Sequence, residues 1–424
     1  MTRLSAKFGA TARALRHRNY RLFFAGQLIS LIGTWMQTVA QSWLVYRLTG
    51  SAELLGLMGF ASQGPVLLLA AVGGVIADRY DRHRILLLTQ TVSMVLACIL
   101  ASLTLGGIIQ VWEVFGLATL LGTANAFDIP ARQAFVVEMV GADDLPNAIA
   151  LNSSIFNGAR LLGPAIAGAL IAAVGEGWCF AVNGLSFLAV ITGLLAMRRQ
   201  AVPQRRDEGS VLSRVRQGMG FVAGHAPIRT LLLLVGVSSL MGMSYTVLMP
   251  IFVDHILGGG PRALGTLMSA SGLGALAAAL MLAGRGKVAG LGDWVARGAI
   301  GFGFALALFS MSRWFWLSAA LLSCAGFAFM AQMAASNTLV QSMVPDEYRG
   351  RTMALYSMMF LGMAPLGALL AGVLAGRIGA PLTVALGGSV CVVAGLVFLR
   401  HLPALREEGR RRRAAEAAPP PPLG

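Results

Sequence analysis

The stretch "ALNSSIFNGARLLGPAIAGALIAAVG" occupies residues 150–175, and "ALYSMMFLGMAPLGALLAGVLAGRIG" occupies residues 354–379. Laid over one another without a gap, at an offset of 204, they agree at eleven of 26 positions. Four of the eleven are glycines: Gly158/Gly362, Gly163/Gly367, Gly168/Gly372 and Gly175/Gly379. Small residues let helix backbones approach closely in lipid, so a shared glycine spacing is a shared packing surface. A weaker match sets Leu55, Gly56, Ala61 and Ser62 over Leu264, Gly265, Ala270 and Ser271 at an offset of 209. The chain reads as two related halves.

The composition says where those halves sit. Of 424 residues, 56% are hydrophobic and 12% charged, and the mean hydropathy is +0.72. That leaves too little polar surface to cover a soluble fold of this size. A helix crosses the hydrocarbon core with about 20 apolar residues. Twelve such runs can be marked: 22–46, 54–77, 85–105, 112–131, 148–173, 178–197, 230–253, 263–283, 292–311, 314–340, 352–376 and 380–399. The repeats pair the fifth run with the eleventh and the second with the eighth. Runs six apart cross in the same direction, which makes a parallel repeat about an axis along the membrane normal, with substrate bound between the halves. The expected fold class is therefore an all-α integral membrane protein of twelve transmembrane helices in two six-helix bundles. The expected divisions are an arm at 1–21, a bundle at 22–197, a linker at 198–229, a second bundle at 230–400 and a disordered basic, Pro-rich tail at 401–424.

Charge orients the chain. Of 33 Lys and Arg residues, 28 fall in the arm, the tail and the loops on their side, four fall on the other side, and Arg160 alone lies inside a run. Cytoplasmic loops carry such an excess, so both termini are expected in the cytoplasm. In a soluble chain the same excess would suggest nucleic acid, but here the charges punctuate apolar runs and form no face, so no nucleic-acid partner is expected. The arm has six cationic residues and no apolar core of a signal peptide, so it reads as retained. The four cysteines lie inside apolar runs without a C-x-x-C pair, and the five histidines show no H-E-x-x-H spacing, so no disulfide framework, metal site or cofactor is expected. No G-x-x-x-x-G-K-[ST] occurs, which argues against ATP hydrolysis, and no cluster of acid, base and nucleophile argues for an enzyme.

One loop stands out. "GGVIADRYDRHR", residues 73–84, follows the second run and places Gly74, Asp78, Arg79, Arg82 and Arg84 in the pattern G-x-x-x-D-R-x-x-R-x-R. With "NYRLFFAGQLISLIGTWMQ" at 19–37, "NAFDIPARQAFV" at 125–136 and "VPDEYRGR" at 344–351, it resembles motif A and flanking elements of the major facilitator superfamily, specifically the siderophore and drug exporters similar to the enterobactin exporter. Asp81 stands where the wider family has glycine. The resemblance spans nearly the whole chain to about residue 400 and implies a monomeric secondary transporter of a bacterial inner membrane, an antiporter driven by protons, working by alternating access. It also implies an Arg82–Asp128 pair that locks the outward-open state. From the residues alone, Asp78 is placed to meet the positive N-terminal end of the eleventh run near Thr352, and Gly74 to admit a close helix approach. The competing reading is a solvated, positive-inside loop.

The cargo candidates follow from polar residues inside apolar runs. Gln27, Ser30, Thr34, Gln37 and Gln41 step by 3, 4, 3 and 4, one stripe along a helix, which faces either a wet cavity or neighbouring helices. Arg160 sits mid-run near Asn157; a guanidinium there needs water, an anionic cargo group or a structural partner. Gln332 and Asn337 in the tenth run are further lining candidates, with several methionines of the seventh and eleventh runs as adaptable apolar surface. Gly158, Gly163, Pro164 and Gly168 resemble the fifth-helix motif of family exporters and read as close packing with a proline kink. Asp128 is the one carboxylate well inside a run, with Glu113 and Asp254 at run ends. The expected function is proton-coupled export of a small hydrophobic or anionic molecule such as a siderophore or drug. The alternatives are a lysophospholipid flippase of the same superfamily and, from another class, a non-transporting membrane sensor.

Overall fold

The computed structural model describes residues 13–198, 211–283 and 290–417. After a 3₁₀ turn at Arg13–Arg16, the helices are α1 (Arg18–Thr49), α2 (Ala52–Arg79), α3 (Arg82–Leu105), α4 (Val111–Val174), α5 (Glu176–Leu195), α6 (Val211–Gly224), α7 (Ala226–Ile256), α8 (Pro261–Ala283), α9 (Leu291–Met311), α10 (Phe315–Met343), α11 (Asp346–Ile378) and α12 (Ala380–Ala417). Among the described residues, eleven helices are long and apolar enough to cross a membrane. One of them counts twice. The 64 residues of α4 would extend for about 96 Å if straight, roughly three times the hydrocarbon thickness. At Gly141 the backbone leaves the helix with φ 73° and ψ 177°, a conformation open to glycine and strained for other residues. The element is thus two crossings, 111–140 and 142–174, and the chain makes the twelve that the hydropathy pattern predicts.

Local chemistry sets the helix ends. Gly50, with φ 62°, ends α1 in the left-handed region and donates its N–H to Tyr46 O. The Ser51 side chain accepts from Leu54 N and starts α2. Asp81 accepts from the backbone N–H groups of His83 and Arg84 and so caps α3, with an ordinary φ of −58°. Aspartate at this site of the wider family's glycine therefore costs no backbone strain and supplies a helix cap. Exposed Trp112, Trp178, Trp314 and Trp316 lie at the end of the molecule away from residues 73–84, as an interfacial aromatic belt does.

The halves meet along two equivalent seams, and the matched glycines build both. A Cβ built on Gly56 of α2 would lie 2.7 Å from Gly372 Cα of α11, and one built on Gly265 of α8 would lie 2.9 Å from Gly168 Cα of α4. Gly56 aligns with Gly265 and Gly168 with Gly372, so the two contacts are related by the internal repeat. The next repeat pair behaves alike: Gly163 faces Trp35 of α1, and Gly367 faces Leu240 of α7. Real Cβ atoms do not approach so closely, which explains why these positions are glycine in both halves.

Two segments differ from expectation. The interval 198–229, expected as a linker, contains α6, whose Phe221 ring stacks on Tyr348 of α11 at 4.5 Å. The tail expected to be disordered is helical to Ala417. Residues 1–12 of the arm, 199–210 of the linker and 418–424 of the tail lie outside the described residues.

Candidate functional site

Between the halves lies a cleft closed at one end only. Both glycine seams lie in the segments of α2, α4, α8 and α11 farthest from the arginine-rich loops. The α2–α11 seam ends where Leu67 meets Gly362, within the π-helical turn Met358–Gly362. Beyond it, Gly74 faces open space. The α4–α8 seam ends where Gly272 approaches Arg160 O and Ser269 Oγ donates to Leu161 O at 2.8 Å; Gly158 again has open space around it. Pro164 has no N–H for the carbonyl four residues back, which is Arg160 O, so Gly272 meets a carbonyl freed from the helix ladder. At the closed end, Tyr46 of α1 donates to Asp254 Oδ2 of α7 at 2.6 Å.

This geometry revises the expectations for motif A. Arg82 does not meet Asp128. Its Nη1 lies 2.6 Å from Glu138 Oε1, its Nε donates to Ala77 O at 3.0 Å, and its Nη2 lies 3.6 Å from Asp78. The reason is register: Asp128 lies ten residues, nearly three turns, before Glu138 in α4, too deep for a side chain from the loop. Asp78 is half-exposed and does not touch α11, and that helix begins at Asp346, not near Thr352, with Asp346 and Glu347 in its first turn. Gly73 makes the close approach expected of Gly74, with a built Cβ 2.1 Å from Ala126 O of α4. Arg79 is exposed, and Arg84 lies 3.5 Å from Asp81.

Asp128 instead centres a buried network. Its Oδ2 lies 2.9 Å from Arg132 Nη2, and its Oδ1 accepts from Thr89 Oγ1 at 2.9 Å and Gln90 Nε2 at 2.8 Å. Arg132 also donates to Gln27 Oε1 at 2.9 Å, tying α1 to α4. Arg132 and Glu138 were missed as site residues because each reads, in sequence, as an ordinary charge at a helix end. The i, i+4 spacing of Asp128 and Arg132 was the available signal.

The α1 stripe turns inward. Gln27, Ser30, Gln37 and Gln41 are buried, Gln37 accepting from Asn183 of α5 at 2.7 Å, while half-buried Thr34 donates to Ser30 O in its own helix. Interhelical bonding accounts for Gln27 and Gln37. Gln332 is likewise fully buried and donates to Ser238 of α7 at 2.8 Å, whereas Asn337 is half-buried and accepts from Gln341. Pro164 and Gly168 are in the packed seam, Gly163 packs on α1 within its own half, and Gly158 does neither. Pro164 causes no break in α4, which departs from helical geometry at Gly141.

Arg160 remains. Its Cζ sits 6.0 Å from the centroid of the Trp35 ring, which meets Phe156 edge-on at 5.7 Å, and among the described residues its side chain makes no hydrogen bond or ion pair. Asn157, one turn away, donates to Ser153 O and keeps Oδ1 without a partner. An uncompensated cation thus stands where the cleft meets its closed end. A mid-membrane arginine costs about 2.5–3.5 kcal/mol on insertion scales.

A twelve-crossing chain with two repeat-related bundles around a one-sided cleft is a secondary transporter and not an enzyme. Residues 10–423 match the transmembrane secretion effector family, and the chain belongs to that family of the major facilitator superfamily. It is 26% identical over 393 residues to the staphyloferrin A transporter of Staphylococcus aureus, covering 92% of this chain and 98% of that one. It is 24% identical over 398 residues to the enterobactin exporter EntS of Shigella boydii, covering 92% and 93%. The crystal structure of the nucleoside transporter NupG has the same fold, with a TM-score of 0.69 at 13% identity over 92% of this chain and 99% of that one.

Proposed function

We propose that the chain is a proton-coupled exporter of a small anionic or hydrophobic molecule, siderophore-like in chemistry, in a bacterial inner membrane with both termini in the cytoplasm. On the orientation expected from the positive-inside rule, the cleft opens to the cytoplasm, the side from which an exporter loads. The observation that carries the reading is Arg160, a cation without a counter-charge beside Trp35 at the closed end of that cleft. An anionic cargo group supplies the missing partner by a charge-assisted bond, and the rings of Trp35 and Phe156 supply apolar contact. Asp128 is the proton site of this reading: protonation neutralises the carboxylate and frees Arg132, whose side chain is 26% exposed, for the cargo. The names of the siderophore-handling relatives support the cargo class.

The test uses energised inverted membrane vesicles and a panel of labelled carboxylate and catecholate chelators. Accumulation abolished by an uncoupler is expected for the native chain, and its loss for Arg160→Ala inserted at native level. Accumulation by Arg160→Ala at the native rate would refute the cargo site, and flipping of a labelled lysophospholipid without chelator transport would replace the reading by a flippase.

A further inference from the structure

The Tyr46–Asp254 bond joins one half to the other at the closed end. Tyr46 is 6% exposed and lies in the last turn of α1; Asp254 belongs to the π-helical turn Phe252–Ile256 that ends α7. The hydroxyl donates and the carboxylate accepts, at 2.6 Å. His255 completes the group: its ring meets the Tyr46 ring edge-on at 5.9 Å, and its Nε2 lies 3.7 Å from Asp254 Oδ2. The side chains of Asp254 and His255 are 47% and 64% exposed. A cavity of about 450 Å³ beside them, lined by Glu53, His255 and Gly376, opens away from the cleft. One partner of the bond is therefore buried, and the other is half-exposed at the closed end.

We propose that Tyr46 and Asp254 form a proton-sensitive bolt on the far-side gate, released by acid on that side. A bond to an ionised carboxylate is about twice as strong as one between neutral groups. With Asp254 ionised, the bond holds α1 against α7 and favours the state seen here. With Asp254 protonated, it weakens and the far side opens more readily. The other titratable groups facing Asp254 are Tyr46 itself from α1 and His255 from α7; Glu53 of α2 stands across the cavity. Arg47 and Glu176, beside Tyr46, are paired with each other at 2.8 Å. The bolt is separate from Asp128 and requires no cargo, so it stands or falls independently of the export reading.

The experiment is a distance measurement by pulsed EPR on the full chain in nanodiscs, free of cargo, with spin labels at positions 112 and 316 in a background lacking the native cysteines. Both positions are exposed, one on each half near the closed end. Lowering the pH from about 8 to about 3, through the ordinary aspartate range, is expected to raise the population with the far side open several-fold. Tyr46→Phe and Asp254→Asn are each expected to start with that population raised and to respond weakly to pH, and the double variant to add little. Tyr46→Phe keeps the ring and its packing, so it tests the bond and not the fold. An Asp254→Asn chain with the native distances and pH response overturns the proposal, as does a pH response that survives Asp254→Asn and disappears in His255→Gln.

Discussion

Arg132 Nη2 and Asp128 Oδ2 lie 2.9 Å apart across one turn of α4, and the arginine alone reaches toward the cleft, its side chain 26% exposed against 3% for the aspartate. Removing one member of a buried pair leaves an uncompensated charge, which costs about 3–5 kcal/mol, whereas removing both charges together is far less damaging. Arg132→Ala is therefore expected to lower thermal stability in detergent sharply. Adding Asp128→Asn should restore most of the loss, since asparagine can still bond Thr89 and Gln90. A double variant no more stable than Arg132→Ala would remove the pairing as the cause.

Arg82 and Glu138 belong to the same half, so their bond persists as the halves rock. Glu138→Gln should cost about 1–2 kcal/mol, the lower part of the range for a charged hydrogen bond because both side chains are about one-fifth exposed. It should leave the balance between inward-open and outward-open states unchanged. Equilibrium unfolding and labelling of the cleft by a membrane-impermeant maleimide report the two quantities separately. A large conformational shift in Glu138→Gln would mean that the pair spans the two states after all.

Gly56 and Gly265 have no room for a side chain in the closed seams, whereas Gly74 has open space in the state seen here. Gly265→Leu is expected to break the far-side seal and expose a cysteine at position 157 to an impermeant reagent from that side. Gly74→Leu should leave this labelling unchanged, yet slow transport if α2 and α11 close on each other at the arginine-rich end during the cycle. Unaltered transport by Gly74→Leu would argue against that closure.

Phe221 stacks on His225 at 4.1 Å and on Tyr348 at 4.5 Å, and Arg351 lies over the Tyr348 ring at 5.5 Å. Aromatic pairs contribute about 0.5–1.5 kcal/mol beyond burial, so Phe221→Ala should lower the midpoint of thermal unfolding only modestly. The clearer expected effect is faster amide exchange across residues 217–224, measured by mass spectrometry. Native exchange rates there would show that the stack does not hold α6 in place.

The twelve crossings and the pairing of the halves were legible because both depend on near-neighbour chemistry. A run of apolar residues marks a crossing whatever its neighbours, and a glycine spacing repeated 204 residues later marks the same packing surface twice. The separation of the fourth and fifth crossings was legible as the interval between two runs, but the break at Gly141, with helix on both sides of it, was not. The α1 stripe was legible as a stripe but not as a direction: Gln37 and Thr34 have the same helical logic, and only the position of Asn183 decides that Gln37 turns into the bundle.

Partners across the fold were a different matter. Arg82 has Asp78, Asp128 and Glu138 on its side of the membrane, and its choice among them depends on depth along α4, which no spacing in the loop encodes. Tyr46 and Asp254 are 208 residues apart and meet only because the halves lean together at that end. By itself the sequence determined the membrane environment, the number of crossings, the internal repeat and a lone arginine within a span, since the cost of burying charge and the room a glycine leaves belong to each residue. The tertiary structure decided which charges pair, which end of the cleft is shut and where the bolt lies, because those depend on distances between helices that the order of residues along one helix does not contain.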